Sequence, residues 1–156
     1  MTDPSTEPQI VELTPARVAV HREKVPMTGL PQFFDRSFHA VDDAMRNAGA
    51  SVVGPPLGLY YGMPTDTVDV AAGFPTDRDV SVDGEVTTET LPGGRAAQIL
   101  HIGSYDAMEQ TYGRLMQWMQ AQNLRPAGVM WESYLTEPDE NDLSSMQTLI
   151  VWPLED

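Results

Sequence analysis

Pro56-Leu57-Gly58-Leu59-Tyr60-Tyr61 returns 70 residues later as Pro126-Ala127-Gly128-Val129-Met130-Trp131. Both stretches read Pro-x-Gly followed by three large apolar or aromatic residues. Two more pairs lie in the same order around them. Upstream, Pro15-Ala16-Arg17-Val18-Ala19 matches Gly93-Gly94-Arg95-Ala96-Ala97, and downstream Val70-Ala71-Ala72-Gly73-Phe74-Pro75 matches Thr148-Leu149-Ile150-Val151-Trp152-Pro153. The offsets are 78, 70 and 78, so the second copy is shorter before its Pro-x-Gly strand and longer after it. The extra length falls in the acidic, polar stretch Thr136 to Ser145. Self-similarity at a long period is the mark of a duplicated structural unit.

Each copy reads as strand, helix, strand, strand. In the first, Arg17 to Val25 is a strand. Pro31 suits a first helical turn, where a missing N–H costs nothing. Phe34, Phe38, Val41, Met45 and Ala48 then follow the helical period, and Gly49 is a natural stop. Leu57 to Tyr61 and Thr67 to Phe74 pair around a Gly-Met-Pro turn. In the second, Arg95 to Ile102 is a strand and Ser104 a helix cap. Met108, Tyr112, Leu115 and Met119 form the helix stripe, with Trp118 beside it. Gly128 to Leu135 and Met146 to Trp152 close the copy. Glu85 to Leu91 joins the copies, and Ile10 to Leu13 is its counterpart in the first. The pattern predicts an α+β fold of antiparallel sheets: two β-α-β-β modules, about residues 9–80 and 84–155, related by a pseudo-twofold with a ligand cleft between them. Residues 1–8 read as a loose tail and 9–156 as one domain.

The chain has 156 residues, no cysteine and a formal net charge of −14, from 23 acidic and 9 basic side chains. A nucleic-acid binder needs a basic footprint, so direct nucleic-acid binding is not expected. Without cysteine there are no disulfides and no thiolate metal sites, which fits a cytoplasmic setting. No apolar run approaches the ~20 residues of a membrane span, and the polar, acidic start does not resemble a secretory signal. His21, His39 and His101 are far apart in sequence. His39 and Asp42 share a helix side, but two ligands do not make a zinc site. Asp139-Glu140-Asn141-Asp142 lacks the spacing of a calcium loop. Neither a metal nor a cofactor is expected.

The second copy carries a family resemblance. Leu91-Pro92-Gly93-Gly94-Arg95-Ala96-Ala97, His101-Ile102-Gly103-Ser104-Tyr105, Tyr112 with Leu115 and Trp118, Trp131-Glu132-Ser133-Tyr134-Leu135-Thr136-Glu137-Pro138 and Trp152-Pro153-Leu154 together resemble the GyrI-like domain over about residues 9 to 155. That family includes effector-binding domains of multidrug-sensing transcription regulators, stand-alone binding proteins and the DNA gyrase inhibitor. The resemblance implies a ligand cleft between two modules. It also implies a glutamate in the Trp-Glu-x-Tyr segment facing lipophilic cations among aromatic rings. Glu132 holds that position. The sequence shows no helix-turn-helix region, so a stand-alone binding protein is expected rather than a direct transcription regulator.

Strand alternation puts Met130, Glu132 and Tyr134 on one face and Val129, Trp131, Ser133 and Leu135 on the other. The second set is the more apolar and is expected to face the helix. By the repeat, Tyr60 stands where Met130 does, and Gly62 where Glu132 does. Tyr60, Met130, Glu132 and Tyr134 are therefore the expected ligand-binding residues. A carboxylate on an apolar strand is costly to bury alone, and desolvation raises its pKa until a cation arrives. A cation resting on a tyrosine face, worth roughly 0.5–2 kcal/mol, relieves that cost, and methionine suits a permissive pocket. These residues predict binding or sequestration of a small hydrophobic, cationic ligand. Two other functions use the same features. One is a GyrI-like hydrolase of electrophilic small molecules with Glu132 as general acid or base. The other is a protein-interaction role, as a gyrase inhibitor or as partner of a separate regulator.

Overall fold

Leu30 and Met108 begin the two helices, and they too are 78 residues apart. The computed structural model describes residues 5–62, 65–82, 85–104, 107–136 and 145–155. Met63 and Pro64 of the expected turn, Tyr105, and the Asp139–Asp142 run lie outside these. The fold is α+β, with antiparallel sheets and two long helices. Chain contacts divide it into two units, one from residues 15–92 and one from residues 1–14 with 93–156.

The first-repeat unit holds β2 (Ala16–Pro26), α1 (Leu30–Ala48), β3 (Leu57–Tyr61), β4 (Thr67–Pro75) and β5 (Thr87–Leu91). The strands lie in the order β5-β2-β4-β3, all neighbours antiparallel. Gly73 sits mid-strand in β4 opposite Val20. A Cβ there would stand 1.9 Å from the Ala19 carbonyl oxygen, so only glycine lets β2 and β4 approach this closely. α1 has Pro31 in its first turn and ends at Gly49, whose φ of 69° is the left-handed cap that glycine adopts without strain.

α1 buries Phe33, Ser37, Val41, Ala44 and Met45. The predicted stripe is therefore displaced by one residue at its start, with Phe34 and Phe38 half-buried beside it. The cause is Ser37: a polar residue on the buried line breaks the apolar period, and the two phenylalanines beside it mimic one. Phe33 packs on Val25, Val68, Val70 and Ala72. Farther along the helix, Val41, Ala44 and Met45 pack on Ala19, Val80 and Val86.

The second-repeat unit holds β1 (Gln9–Leu13), β6 (Gly94–Ile102), α2 (Met108–Ala121), β7 (Arg125–Pro126), β8 (Val129–Tyr134) and β9 (Gln147–Glu155). Its strand order is β1-β6-β9-β8, again antiparallel, with β7 also on β9. β1 precedes the first repeat in sequence yet pairs with β6 of the second, just as β5 pairs with β2. Ahead of β1, the Ser5 carbonyl accepts the Leu100 N–H at 2.7 Å, and Arg114 donates to the Thr6 carbonyl at 3.1 Å.

α2 buries Met108, Thr111, Leu115 and Met119. Tyr112, expected in this stripe, lies half-buried at its edge, and Thr111 takes the buried line. Ser104 does not cap the helix. The cap position is Ala107, without a side-chain bond, and the Ser104 carbonyl instead accepts the Ala107 N–H.

Candidate functional site

Glu132 lies on β8 between Ser133 and Trp131 and is only 8% exposed. Register places it directly opposite Ile150 of β9, which in turn faces Ile99 of β6. Both isoleucines are fully buried. The carboxylate thus ends an apolar row. An anion in such surroundings is stabilised only if hydrogen-bond donors reach it.

Two phenols do so. Tyr134, two residues along the same strand, projects from the same face and donates to Glu132 Oε1 at 2.9 Å. Tyr112 of α2 donates to Glu132 Oε2, and its oxygen lies 3.7 Å from Met130 Sδ. The acidic side chain, two tyrosines and a methionine thioether therefore meet in one place. Burial opposes the charge and the two donated bonds support it. Both donors are neutral, so they hold the carboxylate without cancelling its charge.

These contacts correct the expected facing of β8. Met130 and Glu132 point to the side that carries α2, because Tyr112 reaches both. The apolar set was expected there. The misreading has a physical cause: β8 is buried on both faces, with Met130, Trp131 and Glu132 all under 9% exposed. A strand covered on both sides does not show by composition which side the helix takes.

The next row on the same face is His101 of β6, Thr148 of β9 and Tyr134 of β8. His101 is 4% exposed. Its Nε2 lies 2.8 Å from the Ser104 carbonyl and its Nδ1 2.6 Å from Thr111 Oγ1. A carbonyl only accepts, so Nε2 carries a proton. In the neutral ring Nδ1 then accepts from the Thr111 hydroxyl. Thr148 is 1% exposed, and its hydroxyl has no hydrogen-bond partner among the described residues.

The structure brings together Met130, Glu132 and Tyr134 of the predicted set and adds Tyr112, which the sequence showed only as a stripe residue. Tyr60 belongs to the first-repeat unit. It packs half-buried against the Phe33 cluster on the helix-facing side of β3. Gly62, at the position corresponding to Glu132, has a φ of 75° and open space beyond it.

The other ionisable groups serve the scaffold. Arg22 grips Asp69 through two bonds at 2.9 and 2.8 Å and rests 3.7 Å over the Tyr61 ring. The Arg22 hydrogen bond holds the Asp69 carboxyl below its ordinary range, whereas burial, followed by the Glu89 charge, pushes the Tyr61 phenol up. His21 bonds the Glu85 carbonyl, and Asp42 pairs with Arg46. Among the described residues, no three acidic or histidine side chains are grouped to hold a metal. No helix among them is long and apolar enough to cross a membrane.

Comparison with known proteins follows the same geometry. The profile of the GyrI-like small molecule binding domain matches residues 6–155. The chain belongs to this family. Among solved structures, this GyrI-like domain resembles the EcmrR C-terminal domain (20% identity, TM-score 0.81, covering 96% of this chain and 97% of that one). It resembles an uncharacterized conserved protein from Listeria innocua (17%, 0.74, 97% and 94%). It also resembles SAV2435, solved bound to tetraphenylphosphonium (15%, 0.67, 96% and 94%), and a hydrolase from Listeria innocua (17%, 0.70, 98% and 94%). Identities this low establish a shared fold. No match is found among curated protein sequences.

Proposed function

We propose that this GyrI-like domain binds lipophilic organic cations, with Glu132 as the charged anchor and Tyr112, Tyr134 and Met130 around it. One observation carries the reading: a carboxylate 8% exposed, at the end of an apolar row, held by neutral phenols. A small hydrated ion gains little there, because the apolar row does not replace its water. A cation wrapped in hydrocarbon loses little water on entry and gains both the charge and the rings. The tetraphenylphosphonium complex of SAV2435, a protein of the same fold, supports this class of ligand. Tyr60 remains a candidate on the sequence repeat alone.

The test is calorimetric titration with tetraphenylphosphonium of wild type, Glu132→Gln and Tyr60→Leu. Glu132→Gln should weaken the cation and spare a neutral ligand of similar shape. Equal affinity of wild type and Glu132→Gln for the cation ends the proposal.

A second reading draws on the Listeria innocua hydrolase of the same fold. A buried glutamate beside two phenol hydroxyls is also a general base with adjacent donors. Incubation with an electrophilic, strained-ring compound separates the two. Product formed by wild type and not by Glu132→Ala favours hydrolysis; none across a panel leaves binding.

A further inference from the structure

We infer that the His101–Thr111 hydrogen bond is a positioning device for the site, fixing the rotation of α2 that sets Tyr112 on Glu132. Its consequence for affinity rests on the cation-binding reading above; its geometry does not. β9 lies between β6 and β8. α2 therefore straddles β9, reaching β6 through Thr111 and His101 and β8 through Tyr112 and Glu132. The two helix residues are consecutive, so they point about 100° apart. Fixing one sets the direction of the other. A rotation of about 10° would swing a phenol oxygen lying roughly 8 Å from the helix axis by about 1.4 Å, enough to break its bond. The helix start adds little of its own, because Ala107 offers no side-chain cap. His101 has no freedom to turn, since its other nitrogen is held by the Ser104 carbonyl.

The duplication shows that the fold does not require this bond. At the 78-residue offset, Thr111 and Tyr112 correspond to Phe33 and Phe34, and His101 corresponds to Glu23. At the 70-residue offset of the strand that follows, Glu132 corresponds to Gly62. In the first-repeat unit Phe33 holds its helix by apolar packing alone. The second-repeat unit has the hydroxyl–imidazole pair where apolar contact would hold the helix, and it has it next to Tyr112.

The test uses Thr111→Val, Thr111→Ser, Tyr112→Phe and the double variant Thr111→Val/Tyr112→Phe. In protein labelled with 13Cζ-tyrosine, the Tyr112 signal is identified by its loss in Tyr112→Phe. Without any ligand, Thr111→Val should move that signal toward a free phenol, while Thr111→Ser, which keeps the hydroxyl, leaves it in place. The Kd for tetraphenylphosphonium should rise about fivefold in Thr111→Val, the scale of one hydrogen bond. It should recover in Thr111→Ser. The double variant should be no weaker than Tyr112→Phe. An unmoved Tyr112 signal in Thr111→Val, or full additivity in the double variant, overturns the inference. If wild type binds no cation, the functional reading fails, and the ligand-free spectrum still decides the positioning role.

Discussion

Replacing Glu132 by glutamine removes one charge at constant size. The glutamine carbonyl can still accept the Tyr134 bond, and its amide can donate to the Tyr112 oxygen, so the side chain keeps its place. What is lost is the attraction to a cation. In tetraphenylphosphonium the rings keep the charged centre about 5–6 Å from a carboxylate. With an effective dielectric constant near 20, that separation corresponds to about 3 kcal/mol. At 1.36 kcal/mol per decade this is at most about a hundredfold in Kd, and tenfold or more should survive the remaining hydration of the site. Triphenylphosphine oxide shares three rings and is neutral; its affinity should change by less than about threefold, since the loss is Coulombic.

The net charge of −14 offers a competing account, attraction by the whole surface. Salt separates the two. Surface attraction is screened over about 8 Å at physiological ionic strength, whereas a nearly buried pair is screened far less. Titration in about 0.5 M salt should therefore keep most of the difference between wild type and Glu132→Gln. Acid gives a second check with a definite sign. The ionised carboxylate holds the cation, so falling pH lets a proton compete and weakens binding; the glutamine variant lacks this dependence. Equal losses for the cation and the neutral ligand, or a difference that vanishes with salt, would refute the reasoning.

Three further outcomes test the scaffold. Gly73→Ala forces a methyl to 1.9 Å from the Ala19 carbonyl, so β2 and β4 must part; thermal unfolding should show a loss of about 3 kcal/mol or more. Thr148→Val removes a buried hydroxyl that has no partner among the described residues; it should leave stability unchanged or raise it by about 1 kcal/mol, and a clear drop in Tm would show that the hydroxyl is bonded. Asp69→Asn tests the Arg22 pair. Because the carboxyl is held below its ordinary range, its contribution is complete above the unfolded value and fades as pH falls through the folded one. Melting curves of wild type and variant should therefore differ near neutrality and converge in acid, with a gap of no more than about 1 kcal/mol for a half-exposed pair.

Much of this architecture was legible in the sequence. The repeat located both helices and most strands, because Pro-x-Gly turns and apolar runs mark strand boundaries directly. The alternation of β8 put Met130, Glu132 and Tyr134 on one face, and they are found there. What could not be read was which face the helix covers. Trp131 and Glu132 are equally hidden, and composition ranks them in the wrong order. The pairing of β1 with β6 also has no local signal, since an edge strand reads the same beside either sheet. Tyr112 was read as a stripe residue for a related reason. An aromatic ring at the edge of a helix face satisfies the apolar period whether or not its hydroxyl has work to do.

The two repeats together give the strongest argument that the polar groups are there for a ligand. Both build a four-stranded antiparallel sheet under one helix, with helix starts 78 residues apart. The first does so with Phe33, Phe34 and Gly62; the second has Thr111, Tyr112 and Glu132 at those places. Folding alone would favour the apolar set, because a buried carboxylate with its donors is at best neutral beside well-packed hydrocarbon. The second repeat nevertheless carries a glutamate, two phenols that hold it and an imidazole that holds the helix bearing one of them. Each of these groups is intelligible through the next, and the series ends at Glu132. Replacing Thr111, Tyr112 and Glu132 together by Phe, Phe and Gly, the residues of the first repeat, should leave a folded domain that no longer prefers cations. If that variant instead fails to fold, as judged by circular dichroism and a cooperative melt, the polar series belongs to the scaffold and not to a ligand.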